Sequence, residues 1–321
     1  MDQEVLRRRR EEARRRVYRR RRLVAAGVAG LVAVFVIAVG VLVGAGGGDD
    51  EPEANPEPRP AELPRGGRTI LPDKRVVAFY GAPQDPQLGV LGIGPPRRAA
   101  RTLERQARPY ARRGRPVLPA FELIAAIVTS EAGDGADHSM RQEPATIRRY
   151  LRAARAHDML LLLDIQPGYA PFLQETQALE QFLREPDVSL ALDPEWSMEP
   201  PQLPGQEIGS TDAATINEVS RYLSGIVRRY DLPQKLLVVH RFTGDMIEAE
   251  HDLERHPGVA LVVNVDVFGD QPNKVSKYNE FTEDLRRRFN GFKLFFHEDV
   301  NLMKPKQVLR LRPQPDLIVY E

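Results

Sequence analysis

Residues 188–195 read VSLALDPE, and this short stretch decides how the chain is to be folded. It is a near-continuous apolar run that ends in two acids, with the chain's one tryptophan, Trp196, directly behind them. Successive side chains of a strand face opposite ways, so Val188, Leu190 and Leu192 share one face while Ser189, Ala191, Asp193 and Glu195 share the other. A strand that reads as apolar on both faces belongs to a parallel sheet covered by helices. The small residues of the second face fit a crowded interior, and its acids come only where the strand emerges.

Seven further runs of the same kind flank it: 75–81 (RVVAFYG), 116–124 (PVLPAFELI), 159–166 (MLLLLDIQ), 235–242 (KLLVVHRF), 259–268 (VALVVNVDVF), 292–299 (FKLFFHED) and 316–321 (DLIVYE). Helical spacing appears between them, with Ile147, Tyr150, Leu151 and Ala154 on one face. The same spacing places Ile216, Val219, Leu223, Ile226 and Tyr230 together, and Val275, Tyr278, Leu285 and Phe289 together. Pro144 suits a first helical turn, and Ser210 or Thr211 suits the cap of the helix that follows. Eight strand–helix units in residues 75–321 predict an α/β fold, a (β/α)8 TIM barrel. A doubly wound sheet is the rival, but the glycine turn at 89–96 (GVLGIGPP) has the wrong spacing to cradle phosphate.

Parity then selects the residues at the inner carboxyl ends of the strands, where barrel enzymes place their active sites. These are Tyr80, Glu122, Asp164 with Gln166, Asp193 with Glu195, His240, Asn264 with Asp266, and Tyr320. Strand seven offers either His297 or Glu298, since only one of two neighbours points inward. Burying so many titratable groups is costly without a task. Two carboxylates in different environments serve as acid and as nucleophile or base in cleaving a glycosidic bond, and a tryptophan can stack on a sugar ring.

With these residues in hand, the chain resembles the barrel-fold glycoside hydrolases. Asp193-Pro194-Glu195 is similar to the D-x-E signature that chitinase-like and bacterial muramidase-like families carry after strand four, although the longer D-x-x-D-x-D-x-E series is absent. The resemblance implies that Glu195 is the catalytic acid and that Asp193 assists it. Glu298 is placed like the nucleophile of the retaining-glycosidase clan. Trp196, Tyr80, Glu122, Asp164, Gln166, His240, Asn264, Asp266, His297 and Tyr320 are then expected to line the substrate site, with no cofactor and no metal. Two other readings stay open. Glu122, Asp164, Asp193 and Asp266 could ring Mg2+ with His240 or His297 as base, in a phosphodiesterase or lyase. A catalytically silent barrel could instead bind glycan or protein through Trp196 and Tyr169. The H-x-H and H-E-x-x-H zinc patterns are missing. The loop 130–143 reads as a mobile lid.

The amino-terminal end predicts the address. Residues 1–22 carry eleven arginines and read as a basic cytoplasmic tail; residues 23–45 are free of charge and long enough to span a bilayer once. Positive charge stays inside, so the rest is expected outside the cytoplasm on a single-pass membrane anchor, facing a cell-envelope glycan or polysaccharide. Residues 46–74, rich in proline and acid, read as a disordered linker. Without the tail the chain holds 35 basic and 41 acidic side chains, about −6, which argues against nucleic acid. The absence of cysteine excludes disulfides and thiolate metal sites.

Overall fold

The computed structural model describes residues 60–132, 137–283 and 288–321. The expected tail (1–22), membrane span (23–45) and first part of the linker lie outside these residues. Among the described residues no helix is long and apolar enough to cross a membrane.

Eight parallel strands close on themselves. They are β1 (Arg75–Gly81), β2 (Val117–Val128), β3 (Leu160–Ile165), β4 (Val188–Leu192), β5 (Lys235–Arg241), β6 (Val259–Val265), β7 (Phe289–Leu294) and β8 (Leu317–Tyr320). Each pairs with the next, and β8 pairs with β1, so the barrel has no free edge in its wall. A short strand, Ser139–Arg141, adds antiparallel to the far end of β2. The predicted α/β barrel is therefore the observed fold.

Helices cover the outside: α1 (Pro96–Ala107), α2 (Pro144–Arg155), α3 (Phe172–Ala178), α4 (Glu180–Leu183), α5 (Ala213–Arg229), α6 (Gln271–Phe281) and α7 (Pro305–Val308). Pro144 opens α2, whose missing amide hydrogen costs nothing there, and Ile147, Tyr150, Leu151 and Ala154 are buried against the barrel. The cap of α5 is Asp212, not Ser210 or Thr211; its carboxylate accepts from the Thr215 amide at 2.7 Å. Between β5 and β6 the chain holds a two-residue strand and a short 3-10 turn in place of a helix, a departure from strict strand–helix alternation. The expected helical face through Val275 and Tyr278 stops at Phe281. Leu285 lies outside the described residues, and Phe289 opens β7.

Parity divides the barrel as the sequence predicts. Val188, Leu190 and Leu192 join the core between strands and helices, whereas Val76, Ala78, Leu118, Ala120, Leu160, Leu162, Ala191, Leu236, Val238, Ala260, Val262, Leu317 and Val319 fill the interior. Residues 60–74 correct the linker's extent. Leu63, Ile70 and Leu71 are buried in that same interior cluster, and Gln234 Oε1 accepts from the amides of Ile70 at 2.7 Å and Leu71 at 2.9 Å. The composition is polar, but three aliphatic side chains suffice to stopper the amino-terminal end of the barrel.

Candidate functional site

At the carboxyl end the interior changes from aliphatic to charged within one step of parity. Tyr80 ends the inner row of β1, Glu122 follows Ala120 on β2, Asp164 follows Leu162 on β3, and Asp193 follows Ala191 on β4. On the other side His240 follows Val238, and Asn264 follows Val262. All six are buried, so the structure brings together what parity selected.

Hydrogen bonds join them into one network. His240 lies between two carboxylates, with Nε2 2.8 Å from Glu122 Oε1 and Nδ1 3.0 Å from Asp266 Oδ2. Asn264 Nδ2 also comes within 3.3 Å of Nδ1. Room for Asn264 depends on Gly291, because a Cβ there would sit 2.4 Å from Asn264 Oδ1. The Tyr80 hydroxyl donates to Asp164 Oδ2 at 2.9 Å and reaches toward Asp193 Oδ2 at 3.4 Å, while accepting from Gln166 Nε2 at 3.1 Å. Gln166 Oε1 in turn accepts from the Val128 amide, which ties the network to the end of β2.

The charges are set by burial and by neighbours. Burial raises the Asp164 carboxyl to about 7, against the pull of His240 and with the repulsion of Glu122. Burial first and the Glu195 charge second hold Asp193 well above the usual carboxylate range. For His240, burial works against the charged ring, but the Glu122 charge and the hydrogen bonds to Asp266 and Glu122 outweigh it and raise the imidazole well above its ordinary value. Burial likewise opposes ionisation of Asp266, yet Lys293 and His240 hold it below the usual range. The network thus contains carboxyls pushed in opposite directions within one cavity.

Glu195 sits one turn beyond β4, in the 3-10 segment Pro194–Trp196. It is 6% exposed against 1% for Asp193, so it is the rim member of the pair. Trp196 does not present the open platform that the sequence suggests. The residue is only 4% exposed, and its carbonyl accepts from the Gly168 amide at 3.1 Å, anchoring the loop after β3.

Strand seven is the second correction. It runs from Phe289 to Leu294, three residues earlier than its apolar run suggests, because Asn290 and Gly291 hide its start. His297 and Glu298 therefore lie on the following loop, His297 exposed and Glu298 half-buried, and neither is the inner residue of the strand. That residue is Lys293. Its Nζ lies 3.0 Å from Asp266 Oδ2, 2.8 Å from Glu321 Oε2 and 3.9 Å from the centre of the Tyr80 ring. A lysine inside FKLFF was the signal that could have found it. Tyr320 is the third correction: it faces outward, and its hydroxyl meets that of Tyr110 at 2.6 Å beneath α1. The inner residue at the end of β8 is Glu321, the partner of Lys293.

The loop read as a lid is pinned at both described ends. The Tyr169 amide donates to Asp137 O at 2.7 Å, the Thr129 amide to His138 O at 2.8 Å, and Ser139–Arg141 forms its strand with β2. Residues 133–136 of that loop lie outside the described residues.

No protein-family model and no curated protein matches the chain. Among solved structures, cellulose synthase subunit Z (CcsZ) from Clostridioides difficile is similar at a TM-score of 0.41 and 10% identity, over 77% of this chain and 91% of that chain.

Proposed function

We propose that the barrel mouth cleaves a glycosidic bond in a cell-envelope polysaccharide by carboxylate acid–base chemistry, on a domain held outside the cytoplasm by the apolar segment 23–45. The observation that carries this reading is the Asp193–Glu195 pair. Both are buried at the end of one strand, and burial first and the Glu195 charge second push the Asp193 carboxyl well above the usual carboxylate range. A carboxyl that favours its protonated form directly beside Glu195 can resupply the rim residue with the proton that a leaving glycosidic oxygen needs.

In the proposed reaction Glu195 gives that proton to the bridging oxygen as the C–O bond breaks. A water supplies hydroxyl to the sugar carbon, its proton passing to a second carboxylate, for which Glu298 on the loop after β7 is our candidate. Asp193 orients Glu195 and passes it a proton between turnovers.

The test is hydrolysis of a panel of peptidoglycan and neutral polysaccharides by the full-length protein in mild detergent. Glu195→Gln is expected to lower cleavage by about 10²–10⁴-fold while binding persists. Glu298→Ala is expected to be rescued by azide. Wild-type protein that binds a glycan but cleaves it no faster than Glu195→Gln would overturn the catalytic reading in favour of a binding barrel.

A further inference from the structure

The floor of the mouth carries a feature that acid–base cleavage does not use. Glu122, Asp164 and His240, from β2, β3 and β5, each offer one ligand atom, and these atoms lie within 4.8 Å of one another. All three residues are fully buried. Asp164 is held by one oxygen only: Tyr80 takes Oδ2, and Oδ1 stands 3.9 Å from His240 Nε2 without a hydrogen-bond donor among the described residues. Glu122 Oε2 is likewise buried without a donor, while its Oε1 faces the same Nε2. Two unsatisfied carboxylate oxygens beside a ring nitrogen are what a cation would satisfy and a hydrogen bond from Nε2 alone does not.

The surroundings supply the orienting contact that metal-bound imidazoles need. Asp266 holds His240 Nδ1 at 3.0 Å, which fixes the ring and turns Nε2 toward Glu122 and Asp164.

We propose that Glu122, Asp164 and His240 bind a divalent transition-metal ion, Zn2+ or Mn2+, at the floor of the barrel mouth. One imidazole and two carboxylates suit Zn2+, an ion of borderline softness, and the harder Mn2+, whose carboxylate preference two of the three ligands meet, whereas Ca2+ takes six to eight oxygens and Mg2+ prefers oxygen and water. The site stands on its own geometry, independent of glycan cleavage: loss of activity in Glu195→Gln leaves it intact.

The experiment is calorimetric titration of EDTA-stripped full-length protein in mild detergent with Zn2+, Mn2+, Mg2+ and Ca2+ salts. One Zn2+ or Mn2+ per chain is expected, bound at least tenfold tighter than Mg2+ or Ca2+. The near-isosteric Asp164→Asn should weaken it at least tenfold, and Asp266→Asn about 10–100-fold through the orienting contact. His251→Gln, at an exposed histidine beside Asp252, should leave it unchanged. Because substitution of His240 risks the fold, the nitrogen ligand is read on wild type, as 14N coupling in the electron spin-echo spectrum of bound Mn2+. No stoichiometric ion, no nitrogen coupling, equal affinity in Asp164→Asn, or loss of binding in His251→Gln would each overturn the proposal.

Discussion

The two ends of one barrel are built from the same eight strands and differ in everything else. Below, Val76, Leu118, Leu160, Leu236, Ala260 and Leu317 close around Leu63, Ile70 and Leu71, an aliphatic interior with a stopper of its own chain. Above, four residues further along those strands, Tyr80, Glu122, Asp164, His240, Asn264 and Glu321 occupy the same inner rows, with Lys293 of β7 beside them. The lower half stabilises by removing apolar surface from water. The upper half costs stability, because buried carboxyls are either kept protonated or held ionised against desolvation. The comparison teaches that the lower end carries the fold and the upper end is free to carry chemistry.

The largest test of that division removes β8. Deleting residues 316–321 strips β1 and β7 of the ladders that close the wall and takes Glu321 from Lys293, so cooperative unfolding by circular dichroism should vanish. An unchanged melting transition would show that closure is not what holds the barrel.

Next in size is the stopper. Ile70 is fully buried in the lower interior, and Ile70→Ala should destabilise the protein by about 2–4 kcal/mol in urea unfolding, with the mouth's chemistry unaltered. A cost near zero would mean that residues 60–74 rest on the barrel without contributing to it.

At the mouth the expected sign reverses. The folded state holds a proton on Asp193 that the unfolded chain gives up from about pH 3.9 upward, so wild-type stability should fall as pH rises from there toward the raised folded pKa. Asp193→Asn should flatten that limb, matching wild type at pH 3 and exceeding its melting temperature at pH 7. An Asn variant less stable than wild type at neutral pH would place Asp193 among the groups that hold the fold.

The smallest effect belongs outside both halves. Tyr110 and Tyr320 share one buried hydroxyl–hydroxyl bond, and Tyr110→Phe should cost about 1 kcal/mol in the same unfolding assay and leave the mouth untouched.

Much of the architecture could be read from the chain because strand parity is local. Seven of the eight strands follow from apolar runs, and the acids on β2 and β3 and just after β4 fall where the period of two puts them. Strand seven escaped because Asn290 and Gly291 break its run, and a shift of the strand by three residues exchanges Lys293 for His297 or Glu298. Tyr320 escaped for a related reason. A four-residue strand at the end of a run leaves parity to its partners, and the register of β8 on β1 pairs Val319 with Ala78 and Tyr320 with Phe79.

The sequence by itself determined the eight-unit barrel, the faces of its strands and the gathering of acids at one end, because alternation and helical spacing depend only on neighbours along the chain. Only the tertiary structure decided that residues 60–74 stopper the barrel and that Trp196 is packed away beneath a loop. It alone set His240 between Glu122 and Asp266, with Lys293 drawn to Asp266 and Glu321. Those contacts join residues from β2, β5, β6, β7 and the end of β8, and no spacing along the chain encodes which carboxylate a histidine will meet once the wall has closed.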